Sequence, residues 1–343
     1  MGAITAWTNY QPSVTYDDFV ERATQAALQG LANGSTAIRT HIDIDQTVGT
    51  RALDALLEVR RRLGDLVDLQ LVPLPVELTG PEYAPVRAVL RKAMELGADA
   101  VGGCPFLDPD PTAYHQLALS LAAEFGRQVD LHTDETLDHE VLYLPDLADQ
   151  VAKSGFSHGV TASHCVSLGM QAPEVAADVA KRVAAAGMAV VCNPQTNLFL
   201  QARGWPSAPP RGLTALRSLL EAGVTVAGGG DNFRDPFNPV GRADPLETAS
   251  LLVTAGHLTL EEAYAAVSSG ARAAMGLPEV QVAPGFPAEL LAVEASSLGE
   301  AIAGGTSRVV IHQGRVVSRT SISRAFPTAT AATLVATGRR SGV

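Results

Sequence analysis

The run Val129-Asp130-Leu131-His132-Thr133-Asp134-Glu135 packs apolar, basic and acidic side chains into one short stretch. It reads as a buried strand that closes on an imidazole and, three residues later, a carboxylate. Two later runs end alike. Gly159-Val160-Thr161-Ala162-Ser163-His164 offers a second imidazole, and Val224-Thr225-Val226-Ala227-Gly228-Gly229-Gly230-Asp231 offers a carboxylate behind three glycines. Singly, each group has a bland reading as a core histidine or an ordinary loop carboxylate. Together, two His, one Glu and one Asp at the ends of successive strands form the pattern of a metal-assisted hydrolase. Such a site needs donors for a divalent ion and a carboxyl that moves protons. The glycines before Asp231 let backbone approach closely at a crowded mouth, and a tight barrel corner would use them equally well.

Groups at strand C-termini converge only if the strands run parallel, because chemistry in such sheets sits at that mouth. The chain has the required period. Strands are expected at Thr36–Ile44, Leu66–Leu74, Ala100–Gly103, Val129–His132, Gly159–Ser163, Met188–Cys192 and Val224–Gly228. Helical patterns fill the intervals: Asp17 to Leu31, Thr50 to Leu63, Pro81 to Leu96, Pro111 to Phe125, Pro145 to Ser154, Pro173 to Ala186 and Arg211 to Ala222. Three more follow the last strand, at Pro245 to Ala255, Thr259 to Val267 and Ala271 to Met275. Strand and helix alternating every ~30 residues predict a parallel sheet covered by helices. Residues 1–16 read as irregular, so the chain opens on a helix and yields seven strands where a closed barrel needs one more.

After Met275 the texture changes. Pro278, Pro284-Gly285 and Pro287 punctuate a segment with β-like runs at Ala288–Val293, Ser307–His312 and Gly314–Ser318, the last two joined by a hairpin turn at Gln313-Gly314. The expected organisation is a barrel over 1–275, strands of a small β subdomain over 276–320, and an Ala/Thr/Arg-rich tail over 321–343.

Composition narrows the partners. The 343 residues are 46% hydrophobic and 18% charged, with a net charge of −11. That balance argues against nucleic acid and for a repulsive, water-facing surface. Cys104, Cys165 and Cys192 are odd in number and form no CxxC pair, which leaves neither a thiolate zinc site nor a disulfide framework. The N-terminal residues lack the basic flank and apolar core of a signal peptide, and no apolar run reaches the ~18 residues of a membrane span. A cytoplasmic location is the simplest expectation.

With these residues in place, the chain resembles the cytosine deaminase branch of the amidohydrolase superfamily. The likeness rests on Ile38-Arg39-Thr40-His41-Ile42-Asp43, on His132 and Glu135 in His-Thr-Asp-Glu, on Thr161-Ala162-Ser163-His164, on Asn193-Pro194, and on Gly230-Asp231-Asn232-Phe233-Arg234-Asp235-Pro236-Phe237-Asn238-Pro239-Val240-Gly241. It runs in order from about Asp17 to Ser318. The resemblance implies an α/β fold, a TIM-type (β/α)8 barrel whose first strand is missing or replaced here, with a small C-terminal β subdomain. It implies one catalytic divalent metal, zinc or iron, with His132 and Asp231 as ligands. Glu135 would shuttle a proton between the attacking water and a ring nitrogen, His164 would steady the adduct, and Asp231 would also accept a proton. The substrate would be a small heterocycle that is deaminated or ring-opened at a non-peptide C–N bond, and a homo-oligomer is expected.

Three departures qualify what the resemblance implies. The family's His-x-His on strand one has no counterpart here, and His41-Ile42-Asp43 matches its second strand. One omission therefore explains both the missing strand and the missing ligands, whether the chain is an N-terminally shortened gene product or a natural variant. Val76 stands where the family reads its substrate with Gln, and Glu77 beside it remains for recognition. Asn232 replaces the second Asp of an Asp-Asp pair, and Phe237 stands where a ring stacks on the base. The substrate-side residues are thus Val76, Glu77, Asn232 and Phe237. Two alternatives stay open: a metal-free lyase or isomerase using Glu135, His164 and Asp231, and a binding subunit without turnover. His115, His139, His158, His257 and His312 are given surface or structural roles.

Overall fold

The computed structural model describes residues 2–325. Seven parallel strands succeed one another: β1 (Ala37–Asp43), β2 (Asp68–Leu74), β3 (Ala100–Gly103), β4 (Gln128–Thr133), β5 (Val160–His164), β6 (Ala189–Cys192) and β7 (Thr225–Gly228). β1 and β2 pair throughout, from Ala37 opposite Asp68 to Asp43 opposite Leu74. β3 to β7 form a second ladder in sequence order. Two backbone bonds join the ladders, Asp99 N–H to the Leu71 carbonyl at 2.9 Å and Cys104 N–H to the Pro75 carbonyl at 3.3 Å. Among the described residues no ladder links β7 back to β1. The wall is a TIM-type α/β barrel with seven of its eight staves in the described residues.

Period-two alternation decides what each stave shows to either side. On β4, Val129 and Leu131 join the main core under the covering helices. Asp130 and His132 point the other way, into the barrel, where Asp130 meets Arg39 and His41 of β1. The helices start and stop where local chemistry dictates. Asp110 caps the helix Pro111–Phe125 by accepting the Ala113 N–H at 3.0 Å, and Gly126 ends it in the left-handed region.

A second core joins Leu31, Leu53, Val59 and Leu71 to Val310 of a three-stranded antiparallel sheet. Its strands are β8 (Leu290–Val293), β9 (Arg308–His312) and β10 (Arg315–Thr320), ordered β10-β9-β8. Gln313 and Gly314, both at positive φ, make the tight turn between β9 and β10. Arg308 fixes this sheet to the barrel with two 2.8 Å bonds to Asp244, the cap of the helix Pro245–Thr254. The tail expected over 321–343 lies outside the described residues from 326 onward.

Local structure departs from expectation in three places. Residues 2–13 are helical, as Gly2–Tyr10 and a 3-10 turn Gln11–Ser13, not irregular. The helix Gly2–Tyr10 buries none of its residues and so shows no apolar stripe; the Trp7 indole N–H bonded to Asp43 ties it down. The helix expected over 211–222 shrinks to Leu216–Glu221, because Gly212 adopts a left-handed turn. A helix at Pro194–Leu200, too short to show a period, follows β6. Among the described residues no helix is long and apolar enough to cross a membrane.

Candidate active site

Backbone turns at the barrel mouth aim the polar groups inward. His132 lies within β4, and the chain turns just beyond it at Asp134, with φ of 51°. The Asp134 carboxylate is buried and accepts the N–H groups of Tyr143 and Leu144, while burial pushes its pKa up to about 6. That anchored turn presents Glu135 to the hollow. His164 ends β5 at φ of 68°, and Asp231 follows β7 at φ of 58°. Left-handed backbone at non-glycine residues costs on the order of 1–3 kcal/mol each, and such outliers persist where surrounding structure over-determines them. Here three of them frame one hollow.

The groups meet. His164 Nδ1 is 3.3 Å from Glu135 Oε1, and His164 Nε2 is 3.8 Å from Asp231 Oδ2. The His132 and His164 rings lie 4.7 Å apart. Burial pushes the Glu135 carboxyl up to about 7, helped by the Asp231 charge and opposed by His164 and the Asn197 amide. Burial, together with the neighbouring imidazoles His164 and His41, holds His132 well below the ordinary histidine range. His132 is therefore neutral, the form in which imidazole ligates a metal.

The donor set fits a divalent ion such as zinc or iron. His132, Glu135 and His164 each offer a ligand atom within 4.8 Å of the others, and Asp231 adds a carboxylate beside His164. Bound there, such an ion would be held from this set of imidazole and carboxylate donors, ligand types that zinc and iron both take. Three protein ligands suffice for a catalytic zinc.

The residues expected to face the substrate lie on the segments after β2 and β7. Val76 and Glu77 follow β2, and among the described residues no hydrogen bond or ion pair ties them to the four groups. Asn232 is held by Asp235 Oδ2 at 2.8 Å and by Thr196 Oγ1 at 3.2 Å on its carbonyl oxygen. The Phe237 backbone N–H donates to Asp235 Oδ1 at 2.9 Å, so both residues share one braced turn after β7. Cys104, next to this cluster, is buried; burial pushes its thiol well up, and the Glu135, Asp43 and Asp231 charges add to that. Cys165 and Cys192 are likewise buried and free. His115 and His312 are fully buried and pair with Asp146 and Glu289 at 2.8 Å, structural roles both.

Two groups of residues were given no role by the sequence alone, although Arg39, His41, Asp130 and Asn193 stand in its motifs. Below His132, Asp130 accepts from Arg39 at 2.6 Å and lies 3.0 Å from His41 Nε2, whose ring stands 4.7 Å from His132. Burial opposes ionisation of Asp130, yet the His41 and Arg39 charges and bonds hold its carboxyl well below the usual range. Alternation along Ile38-Arg39-Thr40-His41 was the available signal. Asn193 and Asn197 are the second group: their amide nitrogens lie 3.3 Å and 3.2 Å from the two ring nitrogens of His164. The four-residue spacing in Asn-Pro-Gln-Thr-Asn puts both on one helix face, a signal that carries weight only once Pro194–Leu200 is known to be helical.

Comparison with known proteins gives the chain its relatives. A model described as "Amidohydrolase family" matches residues 6–318. A pterin deaminase of Rhizobium rhizogenes is 36% identical over 84% of this chain, which spans 67% of that protein. An N-isopropylammelide isopropyl amidohydrolase of a Pseudomonas species is 26% identical over 72% of the chain, which spans only 58% of it. In the solved structures, a 5-methylcytosine deaminase from Klebsiella pneumoniae liganded with phosphonocytosine superposes with a TM-score of 0.88 at 28% identity, covering 95% of this chain and 81% of that one.

Proposed function

We propose that this chain, which belongs to the amidohydrolase family, hydrolytically removes an amino group from a small nitrogen heterocycle. The observation that carries this reading is the buried Glu135 carboxyl, pushed up to about 7, standing 3.3 Å from His164 with Asp231 on the other side of that ring. Deamination of an amidine-like carbon needs a proton taken from water and a proton delivered to the ring nitrogen or the departing amine. A carboxyl that titrates near neutrality performs both transfers, since general acid–base efficiency peaks when pKa lies close to the working pH. Glu135 is assigned that shuttle. His164 is assigned to hydrogen-bond the oxygen that accumulates charge, and Asp231 to accept the second proton, released when the hydroxyl of the adduct becomes a carbonyl.

His132 and Asp231 are assigned to hold the divalent ion, whose contribution would be to make water nucleophilic at neutral pH. Val76, Glu77, Asn232 and Phe237 are assigned to the substrate. The relatives act on pterin, 5-methylcytosine and N-isopropylammelide by name, all planar nitrogen rings. A planar amino-heterocycle of one or two rings is therefore the substrate class proposed here, with a pterin first because the pterin deaminase shares the most sequence among these three. The test is release of ammonia or alkylamine from a panel of aminopterins, cytosines and aminotriazines by protein supplied with zinc or iron. Turnover of at least one ring, abolished in Glu135→Gln, is expected. Binding without amine release across the whole panel would overturn the assignment.

A further inference from the structure

Asp235 has no place in the chemistry assigned so far, yet its carboxylate is the hub of the segment after β7. Its Oδ2 accepts from Asn232 Nδ2 at 2.8 Å, and its Oδ1 accepts the Phe237 and Asn238 N–H groups at 2.9 Å and 3.0 Å. The buried Asn238 side chain donates back to the Asn232 carbonyl at 3.0 Å. On the far side of the Asn232 amide stands Thr196 of the helix Pro194–Leu200, also buried. Its hydroxyl donates to Asn232 Oδ1 at 3.2 Å and accepts the Asn232 backbone N–H at 3.2 Å.

These partners fix which way round the Asn232 amide stands. A carboxylate accepts and cannot donate, so only the NH2 end of Asn232 can face Asp235. The oxygen end is left to the Thr196 hydroxyl, which has one proton to give. Each end keeps spare capacity, one N–H on Nδ2 and one lone pair on Oδ1. An amide free to turn over would serve as donor or acceptor at either position and would tell rings apart poorly. A locked amide shows one pattern, and a ring whose edge carries the opposite pattern leaves it with an unpaired polar group.

We infer that Asp235 is a positioning residue that sets substrate specificity: its carboxylate fixes the sense of the Asn232 amide, and with it which ring edge, amino or oxo, the site accepts. This inference rests on the hydrolytic reading above and its assignment of Asn232 to the substrate, but its test reads binding, not turnover.

Asp235→Asn isolates the effect. The substituted side chain keeps an oxygen for the Phe237 and Asn238 N–H groups, which turns its NH2 toward Asn232. Asn232 must then present Oδ1 to that NH2 and Nδ2 to Thr196, whose hydroxyl turns to the Gly230 carbonyl, 3.5 Å away. Every bond is replaced, and only the sense of the Asn232 amide inverts. Calorimetric Kd values for pterin against lumazine and for cytosine against uracil, amino and oxo rings of like shape, give a discrimination ratio for each pair in protein supplied with zinc. The native chain is expected to discriminate about fivefold or more in at least one pair, and Asp235→Asn to shift that ratio by about fivefold or more, the span of one hydrogen bond. A smaller shift overturns the inference, and so does equal weakening of both rings, which would make Asp235 a brace for the loop alone. A native chain that binds none of the four rings, or tells neither pair apart, overturns it too. If Asp235→Asn fails to fold, Asp235→Ala decides: its unlocked amide should bring the ratio toward unity, and a native ratio overturns the inference. A native chain that discriminates these rings yet releases no amine loses the reaction proposed above, while the ratios still decide the role of Asp235.

Discussion

Replacing Asp130 by Asn tests whether the polar interior beneath the active site holds the barrel together. The substitution preserves shape and opens no cavity, so any effect comes from charge. Arg39 and Asp130 expose only 8% and 3% of their side chains, and the guanidinium would lose its one anionic partner there. Removing one member of a buried ion pair typically costs 3–5 kcal/mol. Arg39 keeps neutral acceptors in Gln70, Gln128, Thr161 and the Ala274 carbonyl, which places this case at the lower end, about 3 kcal/mol. With an unfolding entropy of roughly 0.7 kcal/mol/K for a chain of this length, the midpoint should drop by about 4 °C.

The pH dependence has a definite sign. A carboxyl held below its unfolded value contributes stability that is complete above the ordinary Asp pKa near 4 and is lost as pH falls through the folded value. The gap between native and variant should therefore stay constant from about pH 5 to 8 and narrow only on acidification below about 4. Differential scanning calorimetry across that range is the assay, with Arg39→Met and the double variant completing a cycle. The double variant should recover most of the loss, because two uncharged partners leave no buried charge uncompensated. A midpoint within about 1 °C of native at pH 7, or a double variant worse than the sum of the singles, would refute the reasoning.

Four further outcomes follow from the geometry. Glu135→Gln should lower kcat by ~10²–10⁴-fold with little change in substrate affinity, measured by amine release and calorimetric binding. The same variant should stabilise chelator-treated protein at pH 8 by on the order of 2–3 kcal/mol and so raise its unfolding midpoint, because a carboxyl raised to about 7 by burial loses stability as pH climbs from its ordinary value through 7; an unchanged midpoint contradicts the buried charge. His132→Ala should reduce bound zinc or iron at least tenfold by elemental analysis after dialysis, and full retention would remove His132 from the ligand set. Arg308→Ala, which strips two 2.8 Å bonds from Asp244, should destabilise by about 2–4 kcal/mol and speed proteolysis within Leu290–Thr320; cleavage at the native rate would show that the apolar contact through Val310 alone fixes that sheet.

The amino-acid sequence by itself determined the staves and what stands at their ends. Apolar runs of four to seven residues punctuated by Gly, Pro and helical stripes can only be buried strands between covering helices, so all seven were legible. His132, Glu135, His164 and Asp231 were legible for the same reason, since a polar group that closes an apolar strand has nowhere to point but the mouth. The β9–β10 hairpin at Gln313-Gly314 was equally local, its turn residues naming it. Partnerships across the barrel were not local. Arg39 and Asp130 are 91 positions apart, and no window of sequence reveals that their side chains share one layer of the interior. Only closure of the parallel ladder sets that register. The helix Pro194–Leu200 has too few residues to show a period, and it becomes informative once packing lays Asn193 and Asn197 along the His164 ring. Burial made the last decision: a carboxyl raised to about 7 is a property of the surrounding low dielectric, and that dielectric exists only after the chain has folded around it.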